Sequence, residues 1–371
     1  MKELNELLEY IEAKVDPDLR SEIDHRYQRA LSFQPGDQPP LVLQCQENPL
    51  GLKTFPYREA FDNPAKMMFN QLLTRVVPGL EFKDDSPLAI RTDHGTIIIA
   101  TLFGCEFSVE EDMYPWVKPI EDVRDLEKLA ARGLPELNGG IGPKVAEFLQ
   151  YYREKLSHYP KCRKTLQIAV PDLQGPFDTA HEIWGSEIFV YFYERPDLIE
   201  KLLDLVAKTM VAFYRRIKPL TVDRLSPRCI CQHGYMIPGE ILIRDDSIIN
   251  ISAQMYAEHI RPRDEYVLSE LGGGSIHFCG NSQHQIDSLL EIQSLKGLDF
   301  GEPLRMDIDA IYRKCADRRI PVTNMMVSPD DVVSGQAMKR FPAGVVFTCQ
   351  VKTIAEGQQV IREYRKQGEK V

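Results

Sequence analysis

The residues with the clearest capacity for chemistry are one histidine and two cysteines. His277 and Cys279 are two positions apart in a segment that reads as a β-strand, so both side chains leave the same face of that strand. Cys349 follows a second apolar run at 345–347. One imidazole and two thiolates at the ends of two strands would form a three-ligand zinc site with one open position. That arrangement is typical of catalytic zinc, whereas structural zinc has four protein ligands.

These residues must be positioned by the surrounding elements, and the chain from residue 165 onward has a regular pattern. Short apolar strands alternate with amphipathic helices, which predicts a parallel sheet covered by helices. No Gly-x-Gly-x-x-Gly turn opens a helix, so the pattern favours a (β/α)8 TIM barrel over a Rossmann sheet. We therefore predict an α/β fold with one barrel domain spanning residues 1–371.

Two segments are predicted as additions to this barrel. Residues 1–33 read as an N-terminal helical extension, because their apolar residues are spaced like one face of a helix. Residues 85–103 read as a β-hairpin insertion with its turn near 93–95, because apolar runs flank a turn-forming segment.

In a barrel of this kind the chemistry lies at the carboxyl ends of the strands. Polar residues recur at those predicted ends, and the candidates for catalytic roles are Asp172, His233, Arg244 and Asp246. Strand alternation places only one residue of the Asp245–Asp246 pair in the mouth, and we choose Asp246. Arg244 could bind a substrate carboxylate or form an internal ion pair.

A carboxylate could also hold the open position of the predicted zinc at rest. Glu302 is the candidate for this fourth ligand, with Asp299 beside it and Asp246 as a third choice, because all three follow predicted strands.

Several of these residues also have a structural interpretation. The histidine and cysteine of the predicted metal pair could be core residues at a strand end. Cys229, Cys231 and His233 alternate along one predicted strand, but adjacent side chains of one strand rarely close around one metal. We expect core packing for these two cysteines and a pocket position for His233. Asp178 is expected to cap a helix.

The composition excludes some classes of function. The chain has 371 residues, 43% of them hydrophobic, and a net charge of −10, which argues against binding to nucleic acid or to an anionic membrane. No run of about 18 apolar residues exists, so no membrane span is expected. The first ten residues are too acidic for a signal peptide. The 8 cysteines are expected to be reduced thiols in a cytoplasmic protein.

Three segments resemble the uroporphyrinogen decarboxylase superfamily. They are Val-Pro-Asp-Leu-Gln-Gly-Pro-Phe-Asp at 170–178, Ile-Ser-Ala-Gln-Met-Tyr at 251–256 before a helix ending in Arg261-Pro262, and Ile-His-Phe-Cys-Gly-Asn at 276–281. The similarity runs from about residue 40 to the C-terminus. The resemblance implies a TIM barrel, in agreement with the pattern described above.

The details resemble one branch of that superfamily. True uroporphyrinogen decarboxylases carry an arginine-rich signature near the N-terminus and use no metal, whereas residues 44–49 here contain no arginine. His277-Phe278-Cys279 with the distant Cys349 looks like the zinc motif of the corrinoid methyltransferases. This resemblance implies Zn²⁺, methylcobalamin carried by a partner corrinoid protein, and a small-molecule methyl donor or acceptor. It also allows a homodimer, because superfamily barrels often pair.

Three hypotheses follow. The leading one is a zinc-dependent methyltransferase that moves a methyl group between a corrinoid protein and a thiol or other small acceptor. The second is a metal-free decarboxylase, in which Asp246 or His233 handles the proton and Arg244 binds the carboxylate. The third is a non-catalytic barrel that only binds a corrinoid partner or a tetrapyrrole.

Overall fold

The structure is a computed structural model that describes residues 1–34, 38–111, 113–223 and 229–368. Its strands, in chain order, are β1 Leu41–Gln44, β2 Ala89–Ile90, β3 Phe107–Ser108, β4 Trp116–Val117, β5 Gln167–Ile168, β6 Cys229–Gln232, β7 Tyr235–Pro238, β8 Ile241–Arg244, β9 Gly274–Phe278, β10 Leu295–Phe300, β11 Val322–Val327 and β12 Val345–Gln350.

The helices surround these strands. In chain order they are α1 Lys2–Lys14, α2 Pro17–Leu31, α3 Tyr57–Phe61, α4 Pro64–Gln71, α5 Val77–Phe82, α6 Ile98–Leu102, α7 Val123–Arg132, α8 Gly142–Ser157, α9 Pro160–Thr165, α10 Pro176–Trp184, α11 Ile188–Glu194, α12 Pro196–Ile217, α13 Ala253–Met255, α14 Arg261–Glu270, α15 Ile286–Leu289, α16 Ile308–Asp317, α17 Pro329–Ser334, α18 Gln336–Arg340 and α19 Ile354–Gly368. Within the described part of the chain, no helix combines the length and the apolar character that a membrane crossing requires.

The central sheet is parallel, as the sequence predicts. Its six strands lie in the order β1-β12-β11-β10-β9-β8, and β2 pairs in parallel with β5 in a second, short ladder. Helices connect successive parallel strands, which is the arrangement of a TIM-barrel-like α/β fold. The structure thus agrees with the predicted fold class at the level of a helix-covered parallel sheet of at least six strands.

Two aspartate side chains accept hydrogen bonds from the free edge of β1, where a neighbouring strand would otherwise pair. The backbone N–H of Leu41 donates to Asp85 over 2.9 Å, and the N–H of Leu43 donates to Asp84 over 2.7 Å. Both carboxyl groups are fully buried and lie in the segment that leads into β2. These bonds satisfy backbone donors that would otherwise be buried without partners.

The prediction of a β-hairpin at 85–103 is wrong. Ala89–Ile90 pairs in parallel with Gln167–Ile168, and Ile98–Leu102 is helical. The apolar residues at 97–100 are fully buried, so tertiary burial decides the conformation of this run against its strand propensity.

The two helices predicted at the N-terminus are present, and both pack into the domain. The apolar face of α1 enters the main core, which lies between the sheet and the helices. Ile23 and Tyr27 of α2 belong instead to a second cluster on the inner face of the sheet, together with Val42, Leu242 and Val346.

An antiparallel hairpin formed by β6 and β7 fills much of this inner cluster. Its buried side chains pack against inward-facing residues of β1, β8 and β12, and the Ser275 hydroxyl donates to the Pro238 carbonyl over 2.6 Å. The two-residue turn consists of His233 and Gly234, with φ of +55° and +94°. Such a turn matches the twist of the flanking strands, and it presents His233 at the tip of the hairpin.

Candidate functional site

Three potential metal-binding side chains meet beyond the carboxyl ends of β8 and β9. The Nε2 of His277 lies 3.4 Å from the Sγ of Cys279 and 3.8 Å from the Oδ1 of Asp246. The backbone N–H of Cys279 donates to the same Asp246 oxygen over 2.6 Å. All three potential ligand atoms lie within 4.8 Å of one another. We call these three residues the ligand cluster.

Strand register explains why the cluster forms. Arg244 of β8 lies opposite His277 of β9, so the segments that follow the two strands leave the sheet side by side, and the Cys279 N–H meets the Asp246 carboxylate there. The residue that follows β10 must also leave space for the Cys279 sulfur. A Cβ at Gly301 would lie 2.5 Å from the Cys279 Sγ, so only glycine is compatible with this position of the thiol.

Asp299 lies on the side of the His277 ring that faces away from Cys279, and it is fully buried. Its Oδ2 is 2.6 Å from the Nδ1 of His277 and 2.9 Å from the Nδ1 of His233. Its Oδ1 accepts hydrogen bonds from the Tyr235 hydroxyl over 2.9 Å and from the Thr323 hydroxyl over 2.6 Å.

Among the residues that the structure describes, two groups of side chains are therefore close enough to be considered as metal sites, namely the ligand cluster and the set His233, His277 and Asp299. Around a tetrahedral zinc, bond lengths of about 2.0–2.3 Å place neighbouring ligand atoms roughly 3.3–3.6 Å apart. The separation of 3.4 Å in the ligand cluster fits this geometry, and the separation of 3.8 Å is slightly longer. The separations of 2.6 and 2.9 Å around Asp299 are hydrogen-bond lengths. The ligand cluster is the better metal site.

The electrostatics of the group follow from these contacts. Burial alone would lower the pKa of His277, but its hydrogen bonds to Asp299 and Cys279 outweigh burial and raise the pKa to about 10. Burial would raise the pKa of Asp299, but the bonds from His233 and His277 hold it well below its usual value. Desolvation lowers the pKa of His233. At neutral pH Asp299 is thus an anion that lies between a protonated His277 and His233.

The predicted catalytic residues Asp172, His233 and Arg244 are brought together beside this group, but they bind one another. The Nε of Arg244 donates to Asp172 over 2.6 Å, and its guanidinium also contacts the Nε2 of His233. Arg91 makes an ion pair with the other oxygen of Asp172, at 3.2 Å. Of the two functions predicted for Arg244, the internal ion pair is the one observed.

The segment at 170–178 positions the turn that carries Asp246. Gly175 approaches Asp245 so closely that a Cβ would lie 2.2 Å from the Asp245 Oδ1. Asp178, which the sequence predicts as a cap of its own helix, lies inside α10 and accepts bonds of 2.7 Å from the backbone N–H groups of Asp246 and Ser247. It therefore fixes the turn that carries Asp246. As predicted, Asp246 faces the mouth while Asp245 is fully buried.

The structure does not bring Cys349 to the cluster. Strand alternation places it with Val345 and Phe347 in the outer core against the helices, whereas Val346 faces the inner cluster. The thiol is fully buried, and burial raises its pKa to about 12. The predicted three-ligand site of one histidine and two cysteines is therefore not assembled, because the second cysteine is on the opposite face of its strand.

Glu302, the predicted fourth ligand, lies beside the cluster rather than in it. Its carboxylate accepts from the backbone N–H of Gly280 over 3.0 Å and pairs with Arg305 at 3.1 Å. Asp246 occupies the carboxylate position that the sequence assigns first to Glu302.

Sequence reasoning misses Arg91, Tyr235 and Thr323. Arg91 falls in the predicted hairpin that does not form, and no motif marks Thr323. Tyr235 could have been found, because the turn dipeptide His-Gly at 233–234 separates two apolar runs and so indicates a hairpin. Cys231 packs in the inner cluster with Cys229 against it, as predicted.

Comparison with known proteins adds one point. No protein-family model and no curated protein matches the chain. Among solved structures, a methyltransferase from Methanosarcina mazei is similar, with a TM-score of 0.64 and 16% sequence identity over 93% of this chain and 98% of the other. At this identity the likeness shows a shared fold over nearly the full length of both chains.

Proposed function

We propose that this chain is a zinc-dependent methyltransferase that moves a methyl group between a partner corrinoid protein and a thiol or other small acceptor. The observation that carries this proposal is the ligand cluster of His277, Cys279 and Asp246, with its spacing and its buried carboxylate support. The shared fold with a methyltransferase agrees with it.

The donor set fits zinc. One imidazole nitrogen, one sulfur and one carboxylate oxygen are ligands that zinc accepts, and three protein ligands leave the open position of a catalytic site. Zinc bound here would lower the pKa of a coordinated substrate thiol and hold it as a thiolate at neutral pH.

The protein's own residues then have defined tasks. His277 presents Nε2 to the site because its Nδ1 is bonded to Asp299. Asp246 is held from two sides, by the Cys279 N–H at its Oδ1 and by Asp178 at its backbone. The buried ion pairs of Asp172 with Arg91 and Arg244 form a rigid polar wall next to His233.

Metal analysis tests this proposal directly. We expect close to one zinc per chain in purified protein, and loss of zinc in His277→Ala and in Cys279→Ser. A methyl-transfer assay with methylcobalamin and a panel of small thiols should show turnover that a chelator removes and added zinc restores. Arg305→Gln, which changes an exposed partner of Glu302, serves as the matched control and should keep both zinc and turnover. Wild-type protein without zinc at any stage of preparation would refute the proposal.

The decarboxylase alternative has less support. It requires Arg244 to bind a substrate carboxylate, but this guanidinium already contacts Asp172 and His233. A metal-free lyase predicts that zinc removal leaves activity on a carboxylated substrate unchanged, so the chelator experiment separates the two functions.

A further inference from the structure

We propose that Asp299 is the positioning residue of the site: it fixes a proton of His277 on Nδ1 and so directs the Nε2 of that histidine to the ligand cluster. This inference rests on the proposed metal site and adds a residue outside the predicted ligands. It also assigns a role to the inner hairpin, which no part of the proposed reaction requires.

The hydrogen bond between Asp299 and His277 has a defined direction. The Asp299 carboxyl group accepts from the Tyr235 and Thr323 hydroxyls at Oδ1, so the bond of 2.6 Å at Oδ2 uses a proton on the His277 Nδ1. The opposite ring nitrogen then faces Cys279 at 3.4 Å and Asp246 at 3.8 Å. A histidine that ligates a metal through one nitrogen commonly donates its other N–H to a carboxylate in this manner.

Asp299 itself has no free lone pair to bind the metal. A carboxylate offers about four lone-pair sites. Four donors fill them here, with two imidazoles at Oδ2 and two hydroxyls at Oδ1. No acceptor site remains for a metal, and the residue is fully buried. Asp299 acts on the metal through His277, and not by contact.

The four donors to Asp299 come from its two neighbouring strands and from the inner hairpin. His277 belongs to β9 and Thr323 to β11, the strands on either side of Asp299. His233 and Tyr235 come from the hairpin on the inner face of the sheet. The left-handed backbone of His233, with φ of +55°, brings its ring to Asp299 at the hairpin tip. The hairpin therefore supplies half of the donors that hold the carboxylate.

The experiment compares Asp299→Asn with Asp84→Asn. Both variants replace a fully buried carboxyl group by an amide of the same shape, but Asp84 lies at the edge of β1, where an amide oxygen can still accept from the Leu43 N–H. Zinc affinity is measured by chelator competition. We expect Asp299→Asn to weaken zinc binding about 10–100-fold, which is the usual effect of losing such a carboxylate, and Asp84→Asn to stay close to wild type. The visible absorption spectrum of the Co²⁺-substituted protein should change in the first variant only.

A second readout does not depend on the metal. In protein labelled with ¹⁵N-histidine, the His277 Nδ1–H should give a downfield resonance protected from solvent exchange, assigned by its loss in His277→Gln. This resonance should persist in Asp84→Asn and disappear or exchange rapidly in Asp299→Asn.

The outcomes are distinct from those that test the function. Unchanged zinc affinity in Asp299→Asn, or an equal loss in Asp84→Asn, overturns the positioning role while the metal site stands. If wild-type protein binds no zinc, the proposed function fails and the resonance alone decides the inference. If Asp299→Asn does not fold, a wild-type Nδ1–H of His277 that exchanges as fast as an exposed imidazole overturns it.

Discussion

Asp246 is a better third ligand than Cys349 for reasons that concern single side chains. The Asp246 carboxylate is partly exposed at the mouth, and it is already ordered by the Cys279 N–H. The Cys349 thiol is fully buried among apolar side chains, where a thiolate would lack both solvent and a counter-ion. One step along a strand separates a residue that faces the site from one that faces the helices.

We therefore expect Cys349→Ala to retain zinc and Asp246→Asn to lose it. The first change removes one buried sulfur and should lower the free energy of unfolding by about 1 kcal/mol, because the thiol acts there as a small hydrophobe. The second should weaken zinc binding more than the roughly 10–100-fold expected for loss of an outer carboxylate, since it alters a ligand. Zinc content and chelator competition measure both. Loss of zinc in Cys349→Ala but not in Asp246→Asn would contradict this expectation and would support the ligand set that the family resemblance implies.

Much of the parallel sheet could be predicted from the sequence, because its strands are short apolar runs between amphipathic helices. The predicted strand that carries His277 is observed at Gly274–Phe278. The orientation of Cys349 could not be predicted, because the apolar run has residues buried on both faces and so carries no alternation signal. The sequence marks the hairpin on the inner face only as a strand candidate, because a buried hairpin and a sheet strand have the same apolar pattern.

The tip of the β6–β7 hairpin is the element most sensitive to a backbone change. Gly234 has φ of +94°, and no atom lies within 4 Å of the position that an alanine methyl group would take, so Gly234→Ala introduces backbone strain without a clash. We expect a loss of about 1–2 kcal/mol in unfolding free energy and weaker zinc binding, because His233 would no longer hold Asp299. Chemical denaturation and chelator competition give the two values.

Gly51→Ala is the matched control for this change. Its φ of +63° is also left-handed and its surroundings are equally open, but it lies in the loop after β1. It should lower stability and leave zinc affinity unchanged. Equal effects of the two variants on zinc would show that the hairpin tip has no special relation to the site.

The proposed site lies at one end of a sheet whose inner face is packed. The hairpin and α2 cover this face with buried side chains. Beneath the ligand cluster lies a group of buried acidic residues, Asp178, Asp245 and Asp264. Burial raises the pKa of Asp178 and of Asp264 to about 7 each, and burial with repulsion from its neighbours raises the pKa of Asp245 well above its usual value.

This group makes the stability of the whole protein dependent on pH. In the unfolded chain these carboxyl groups titrate near 3.9, so between about pH 4 and pH 7 the folded protein holds protons that the unfolded chain has lost. The stabilising contribution is complete below about pH 4 and is lost as the pH rises through the folded pKa values. The slope is up to about 1.4 kcal/mol per pH unit for each group that must ionise.

We expect the double variant Asp245→Asn/Asp264→Asn to show a shallower decline of unfolding free energy between about pH 5 and pH 8 than wild type. The amides keep the shape of the carboxyl groups but have no proton to lose, and the Tyr256 hydroxyl, 2.7 Å from Asp264, can still donate to an amide oxygen. Urea denaturation at half-unit pH intervals gives both curves. Parallel curves would mean that the two carboxyl groups are ionised in the folded protein across this range, and the buried acidic residues would then need a counter-charge that the contacts described above do not provide.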